Sequence, residues 1–207
     1  TALLSRLGAG DDVPVGTAVA GRDEQALDDL VGFFVNTLVL RVSTADDPSF
    51  ADLLERTRAA DLAAYAHQDV PFEHVVEALN PERSSARHPL FQVMLTLQHT
   101  QDVPPDLGGH SVSRRFVGLG GQAKFDLSFL LTQDADGLTG AVEYAAGLFE
   151  RATVERVVTM LRRLLDAVVA DPAVRLADID LLGAADRELL LHHWNDTRHE
   201  VPYPTVI

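Results

Sequence analysis

The sequence predicts an α/β chain of the α+β sandwich kind, a mixed β-sheet covered by helices. Three observations predict it. Segments with the period of a strand alternate with segments of helical period along the chain. Hydrophobic residues make up 46% of the 207 positions, enough to bury a core in one domain. Charged residues at 23% and aromatics at 6% match an ordinary globular composition, neither disordered nor fibrous.

The elements follow in order. Thr1 to Leu7 reads as a helix stopped by Gly8 and Gly10, and Val13, Val15 and Val19 around Pro14 and Gly16 read as an irregular strand or sheet edge. Phe33 to Val42, rich in aromatic and β-branched residues, predicts a strand buried on both faces for much of its length. Ser49 followed by Asp52 is a capping-box-like start, and Phe50, Leu53, Leu54, Thr57, Ala60 and Ala64 carry a helix to about Ala66. Pro71 suits the first turn of a second helix with Phe72, Val75, Val76 and Leu79 on its apolar face, ended by Asn80-Pro81. Phe91 to Leu97 alternates apolar and polar residues, the pattern of a strand with one apolar face.

Residues 101–110 hold two prolines and two glycines and predict a loop. Strands are expected at Val112 to Val117, Phe125 to Thr132 and Leu138 to Tyr144, the last two joined by the turn Asp134-Ala135-Asp136-Gly137. A helix from about Arg151 to Ala170 places Val157, Val158, Leu161, Leu164, Leu165 and Val168 on one stripe, and Asp171-Pro172 closes it. The tail, with Ile179, Leu181, Leu182 and a short helix near Asp186 to His193, reads as a docked extension.

Charge and composition exclude several functions. The net charge is −14, spread evenly and without a basic block, which argues against nucleic acid or an anionic membrane as partner. No cysteine means no disulfide framework, thiol catalysis or zinc finger. The N-terminus lacks the order of a signal peptide and the apolar runs are too short to span a bilayer, so a cytoplasmic location is expected. Lys124 is the only lysine, and the arginine and alanine bias points to a GC-rich bacterial source.

Most motif matches fail on context. Gly118 to Ala123 fits a loose dinucleotide pattern but precedes a strand, not a helix. Ser111 lacks the second glycine of a nucleophile elbow. His192 and His193, proposed with His199 as metal ligands, point about 100° apart on a helix, so a solvated helix end is the better reading. Glu73 and His74 likewise face different ways and read as surface or capping groups.

Three segments place polar groups inside apolar runs. Asn36-Thr37 interrupts the most apolar strand, so Asn36 either ties down a neighbouring loop or faces a polar cavity. Polar groups of His67-Gln68-Asp69-Val70-Pro71-Phe72 lie between two helices, and those of Arg87-His88-Pro89-Leu90-Phe91 lie ahead of a strand. Both read as shaped loops at element ends, where sites are commonly built.

Taken together, Val31-Gly32-Phe33-Phe34-Val35-Asn36-Thr37-Leu38, His67 to Glu73, and Arg87-His88-Pro89-Leu90-Phe91-Gln92-Val93-Met94 closely resemble three successive motifs of nonribosomal peptide synthetase condensation domains, in matching order and spacing. Gly10 to Thr17 with Ala20-Gly21-Arg22 resembles the start of that family's second half. Trp194-Asn195-Asp196-Thr197 with Tyr203-Pro204 resembles the linker into an adenylation domain.

The resemblance implies a chloramphenicol acetyltransferase-like fold of two lobes enclosing a tunnel, with residues 1–182 as the C-terminal lobe and 183–207 as the linker toward a following adenylation domain. The intact domain is implied to form the amide bond between donor acyl or peptidyl and acceptor aminoacyl thioesters, an acyltransferase step of secondary-metabolite biosynthesis. No cofactor is bound directly; the substrates ride on the 4'-phosphopantetheine of upstream and downstream peptidyl carrier proteins. The family's signature of two histidines, three variable residues, aspartate and glycine belongs to the N-terminal lobe and does not occur here, because His192-His193 is followed by Trp-Asn-Asp-Thr. No catalytic residue is therefore assigned, and the chain alone is expected to be inactive. By the same resemblance Asn36, Thr37, Gln68, Asp69, His88 and Gln92 face the tunnel or order its loops. The segment crossing to the other lobe lies within Val117 to Lys124 or at Asp134 to Leu138. Two alternatives stand beside this reading: a non-catalytic condensation-like module that docks a carrier or tailoring enzyme, and an epimerisation-domain lobe.

Overall fold

The computed structural model describes residues 1–22, 24–27, 29–82, 84, 87–99, 108, 123–134 and 137–198. Within them, β1 (Val15–Val19), β2 (Asn36–Leu40), β3 (Val93–His99), β4 (Leu127–Asp134) and β5 (Gly137–Tyr144) form one sheet in the order β2-β1-β3-β4-β5. The outer pairs β1/β2 and β4/β5 are antiparallel, and the inner pairs β1/β3 and β3/β4 are parallel. The helices are α1 (Ala2–Leu4), α2 (Phe50–Tyr65), α3 (Phe72–Leu79), α4 (Arg151–Ala170) and α5 (Ala184–Glu188).

Local chemistry sets the boundaries. Ser49 Oγ accepts the Asp52 amide at 3.1 Å, while the Phe50 and Ala51 amides donate to the Val174 and Pro172 carbonyls, so the turn that closes α4 also satisfies the start of α2. α3 stops at Asn80 in the left-handed conformation, its amide returning to the Val76 carbonyl. The β4–β5 register runs unbroken to the pair Asp134–Gly137, where Gly137 takes a φ of 137° that a side chain would oppose.

α4 joins two parts of the core. Its Val154, with Val157 and Leu161 beside it, packs on Leu127 and Phe129 of β4, whereas Leu164 and Val168 pack with Leu3, Val42, Leu53, Leu176, Ile179 and Leu181. Ile179 is only 2% exposed, so the tail is docked through Leu176, Ile179 and Leu181, whereas α5 and the turn Leu189–His193 after it bury no residue.

Several expectations need correction. The segment from Phe33 is not a strand until Asn36, and within β2 only Leu38 is buried. Val31 and Phe33 are fully exposed, at 105% and 92%. The reason is position: β2 lies at the edge of the described sheet with β1 as its one partner, so its apolar run is not enclosed on both sides. β1, conversely, is internal, and Pro14 is accommodated because it precedes the first paired residue. β3 starts at Val93, two residues later than expected, and Leu95 and Leu97 are exposed, lying outside the core cluster that α4 forms with Val93. The buried stripe of α4 follows 154, 157, 161, 164 and 168, which leaves Leu165 exposed. The opening helix is α1 followed by a wider π-type turn at Ser5–Ala9, and Pro71 sits one position ahead of α3. The expected strand Val112 to Val117, the Gly118 to Gln122 run, Ser111, His199 and Tyr203-Pro204 lie outside the described residues.

Candidate functional site

The site is built around the first residue of β2. Asn36 Nδ2 donates to the Gln68 carbonyl at 2.7 Å and to the Val70 carbonyl at 2.8 Å. Its Oδ1 accepts the Thr37 amide at 2.8 Å and the Phe72 amide at 3.2 Å. An amide side chain has two donor hydrogens and an acceptor oxygen with two lone pairs, so all four capacities are used. Asparagine suits the position because two carbonyls and an amide converge on it. The Phe72 amide is one of the orphan donors at the start of α3, so Asn36 caps that helix from another element. Of the two sequence readings, tying down a neighbouring loop is the one this geometry describes.

Phe72 carries the connection onward. Its ring stacks on His88 at 5.3 Å between centroids and meets Phe91 edge-on at 6.1 Å. His88 lies 4.1 Å from the Phe91 ring and 5.2 Å from Phe125, and Phe91 lies 5.1 Å from Phe125. Phe91 is 0% exposed and presses on β1 at Gly16, where a Cβ would sit 2.2 Å from the ring. A glycine inside a strand marks such a close approach. The four rings thus fasten α3, the 87–92 turn and the start of β4 onto the sheet. Gln92 closes that turn by donating Nε2 to the His88 carbonyl at 2.8 Å, and its own carbonyl accepts the Leu127 amide at 3.3 Å.

Burial holds the His88 imidazole below its ordinary pKa, with the Phe91 backbone offsetting part of the effect. Its Nδ1 is buried without a hydrogen-bond partner among the described residues. Among the described residues, no hydrogen bond or ion pair between two titratable side chains is found here. No cluster of three or more metal-ligating side chains occurs among the described residues either, and His192 approaches Glu188, one helical turn away, at 3.8 Å.

The structure brings Asn36, Thr37, the Gln68 backbone, His88 and Gln92 into one connected unit. Asp69 lies exposed on the loop, and no hydrogen bond or ion pair of its side chain is found among the described residues. Sequence reasoning missed Phe72, Phe91 and Phe125 as the link between the motifs, and Gly16 as the space that Phe91 fills. Part of the signal was present: a glycine inside a β-branched strand, and a phenylalanine within each of two motifs, Phe72 and Phe91.

A mixed five-stranded sheet with helices is an arrangement of the chloramphenicol acetyltransferase-like fold. The chain belongs to the condensation-domain family, whose model matches residues 1–191. It is 52% identical over 202 residues to a probable non-canonical nonribosomal peptide synthetase, CymA, of Salinispora arenicola, a match covering 98% of this chain and 3% of that protein. Among solved structures it is similar to the X-domain in its complex with OxyB from teicoplanin biosynthesis, with 34% identity and a TM-score of 0.76 over 88% of this chain and 40% of that one. It is also similar to the first condensation domain of the CDA synthetase, with 26% identity and a TM-score of 0.67 over 88% and 40%. The chain therefore spans a small fraction of the relative's length and less than half of a solved domain. No described helix is long and apolar enough to cross a membrane.

Proposed function

We propose that this chain is the C-terminal lobe of a condensation domain, residues 1–182 forming the lobe and 183–207 leading toward an adenylation domain. In the intact enzyme it walls the tunnel in which a donor thioester and an acceptor aminoacyl thioester meet, each held by the 4'-phosphopantetheine of a peptidyl carrier protein. The acceptor amine attacks the donor thioester carbonyl, an amide bond forms, and the donor's carrier thiol leaves. Such a step needs the two thioesters held in line and a group that orients the amine or stabilises the tetrahedral intermediate. The second requirement falls to the N-terminal lobe's double-histidine motif. This lobe contributes alignment.

The observation that carries the reading is the set of four hydrogen bonds at Asn36, which fixes the 68–72 loop against the sheet and, through Phe72, the aromatic floor under the 87–92 turn. Alanine at Asn36 in the intact domain tests it. Turnover per folded molecule falls if the fixed loop aligns the substrates, whereas lost stability with normal turnover by the surviving protein removes the tunnel role.

A second reading has its own observation. The likeness to the X-domain seen with OxyB supports a condensation-like module that docks a tailoring enzyme and performs no condensation. The preceding lobe discriminates, since an eroded histidine motif there favours docking.

A further inference from the structure

The strap between β1 and β2 is fixed yet presents its apolar side chains outward. Arg22 donates to the carbonyls of Leu27 and Leu30, the latter at 2.7 Å, and its guanidinium lies 4.2 Å from the centre of the Phe34 ring. Gly21, at a φ of 63°, lets the Phe34 carbonyl approach so closely that a Cβ would lie 2.0 Å from its oxygen. Asn36 pins the far end. Between these anchors Val31 and Phe33 are wholly exposed, flanked by half-exposed Leu30 and Val35. A strap shaped by this many contacts, with a bare phenylalanine and valine at its crest, marks a covered surface.

Resting on the reading of the chain as one lobe, we propose that the 30–35 strap is a seat for the N-terminal lobe, with Val31 and Phe33 buried against apolar side chains of that lobe. Size supports this occupant. The chain matches 40% of a solved condensation domain, so the polypeptide that completes such a domain exceeds this lobe in length. Chemistry supports it too. Residues 30–36 carry no charge, so their partner is held by apolar contact. The sheet face opposite α4 is mixed in character, because the register places Thr96, Gln98, Thr132, Thr139 and Glu143 there among Met94, Leu130 and Ala141.

Photocrosslinking in the intact synthetase module tests the seat. Benzoylphenylalanine replaces Phe33, and separately Val31, with Val169 on α4 as the comparison site. The expected result is a crosslink within one polypeptide, mapped to a peptide of the N-terminal lobe, from positions 33 and 31 and lost at 169. Crosslinks only to a carrier protein, only to a second copy at doubled mass, or none at all overturn the proposal. Amide formation is assayed on the same module. Retained condensation without the internal crosslink removes the seat alone, and the internal crosslink in a module that never condenses removes the catalytic reading alone.

Discussion

Replacing Asn36 by alanine removes the hydrogen bonds to the Gln68 carbonyl, the Val70 carbonyl and the Phe72 amide, three groups from outside its own strand. The Val70 bond lies on the exposed side, where water takes over at little cost. The Gln68 and Phe72 bonds are partly buried, each worth about 1 kcal/mol, with a further fraction for the uncapped start of α3. The expected loss is about 2 to 3 kcal/mol, read by urea unfolding followed by circular dichroism. Asn36→Asp sharpens the test because it keeps the shape and the acceptor but turns a carboxylate oxygen toward two carbonyls. It should cost at least as much as alanine at neutral pH. The carbonyls raise the pKa of the new carboxyl in the folded state, so stability returns as pH falls and is lost as pH rises through that pKa. An alanine variant losing less than about 0.5 kcal/mol, or an aspartate variant as stable as the parent at pH 7, would refute the pin.

Phe91→Ala empties the fully buried centre of the aromatic floor and should cost about 3 to 5 kcal/mol in the same unfolding assay. Gly16→Ala drives a methyl group into the Phe91 ring and should cost about 1 to 3 kcal/mol, with Phe91→Leu in the same chain costing less than the two changes summed. Ser49→Ala removes the cap of α2 and should cost about 1 kcal/mol, detectable as a lowered urea midpoint with an unchanged slope. His88 is held below the ordinary imidazole value of 6.5, so the unfolded chain binds its proton first. Its contribution is complete above that pH and shrinks as pH falls below it. His88→Phe should therefore flatten the acid side of the stability profile, and an unchanged profile would show that folding does not lower the imidazole's pKa.

The fold was legible wherever periodicity governs it. The 20-residue α4 and the β4–β5 hairpin follow from spacing and turn residues alone, and their bounds in the structure nearly coincide with those expected. Phe33 to Val42 was misread because apolar, β-branched composition reports burial of some kind and not what covers it. Its first three residues lie in a strap ahead of an edge strand. At the site, the polar interruption at Asn36 was visible as a buried amide needing partners, but those partners are backbone groups more than 30 residues away. Backbone acceptors leave no trace in residue identity. The stacking of Phe72, His88, Phe91 and Phe125 was hidden for the same reason, since it joins segments that only the folded sheet brings together.

The division of labour between the lobes is tested most directly by peptide-bond formation between two carrier-bound aminoacyl thioesters, compared for this 207-residue chain and for the intact domain containing it. The account predicts a dipeptidyl carrier from the intact domain and none above background from the chain alone. Product from the chain alone at a rate near that of the intact domain would contradict it.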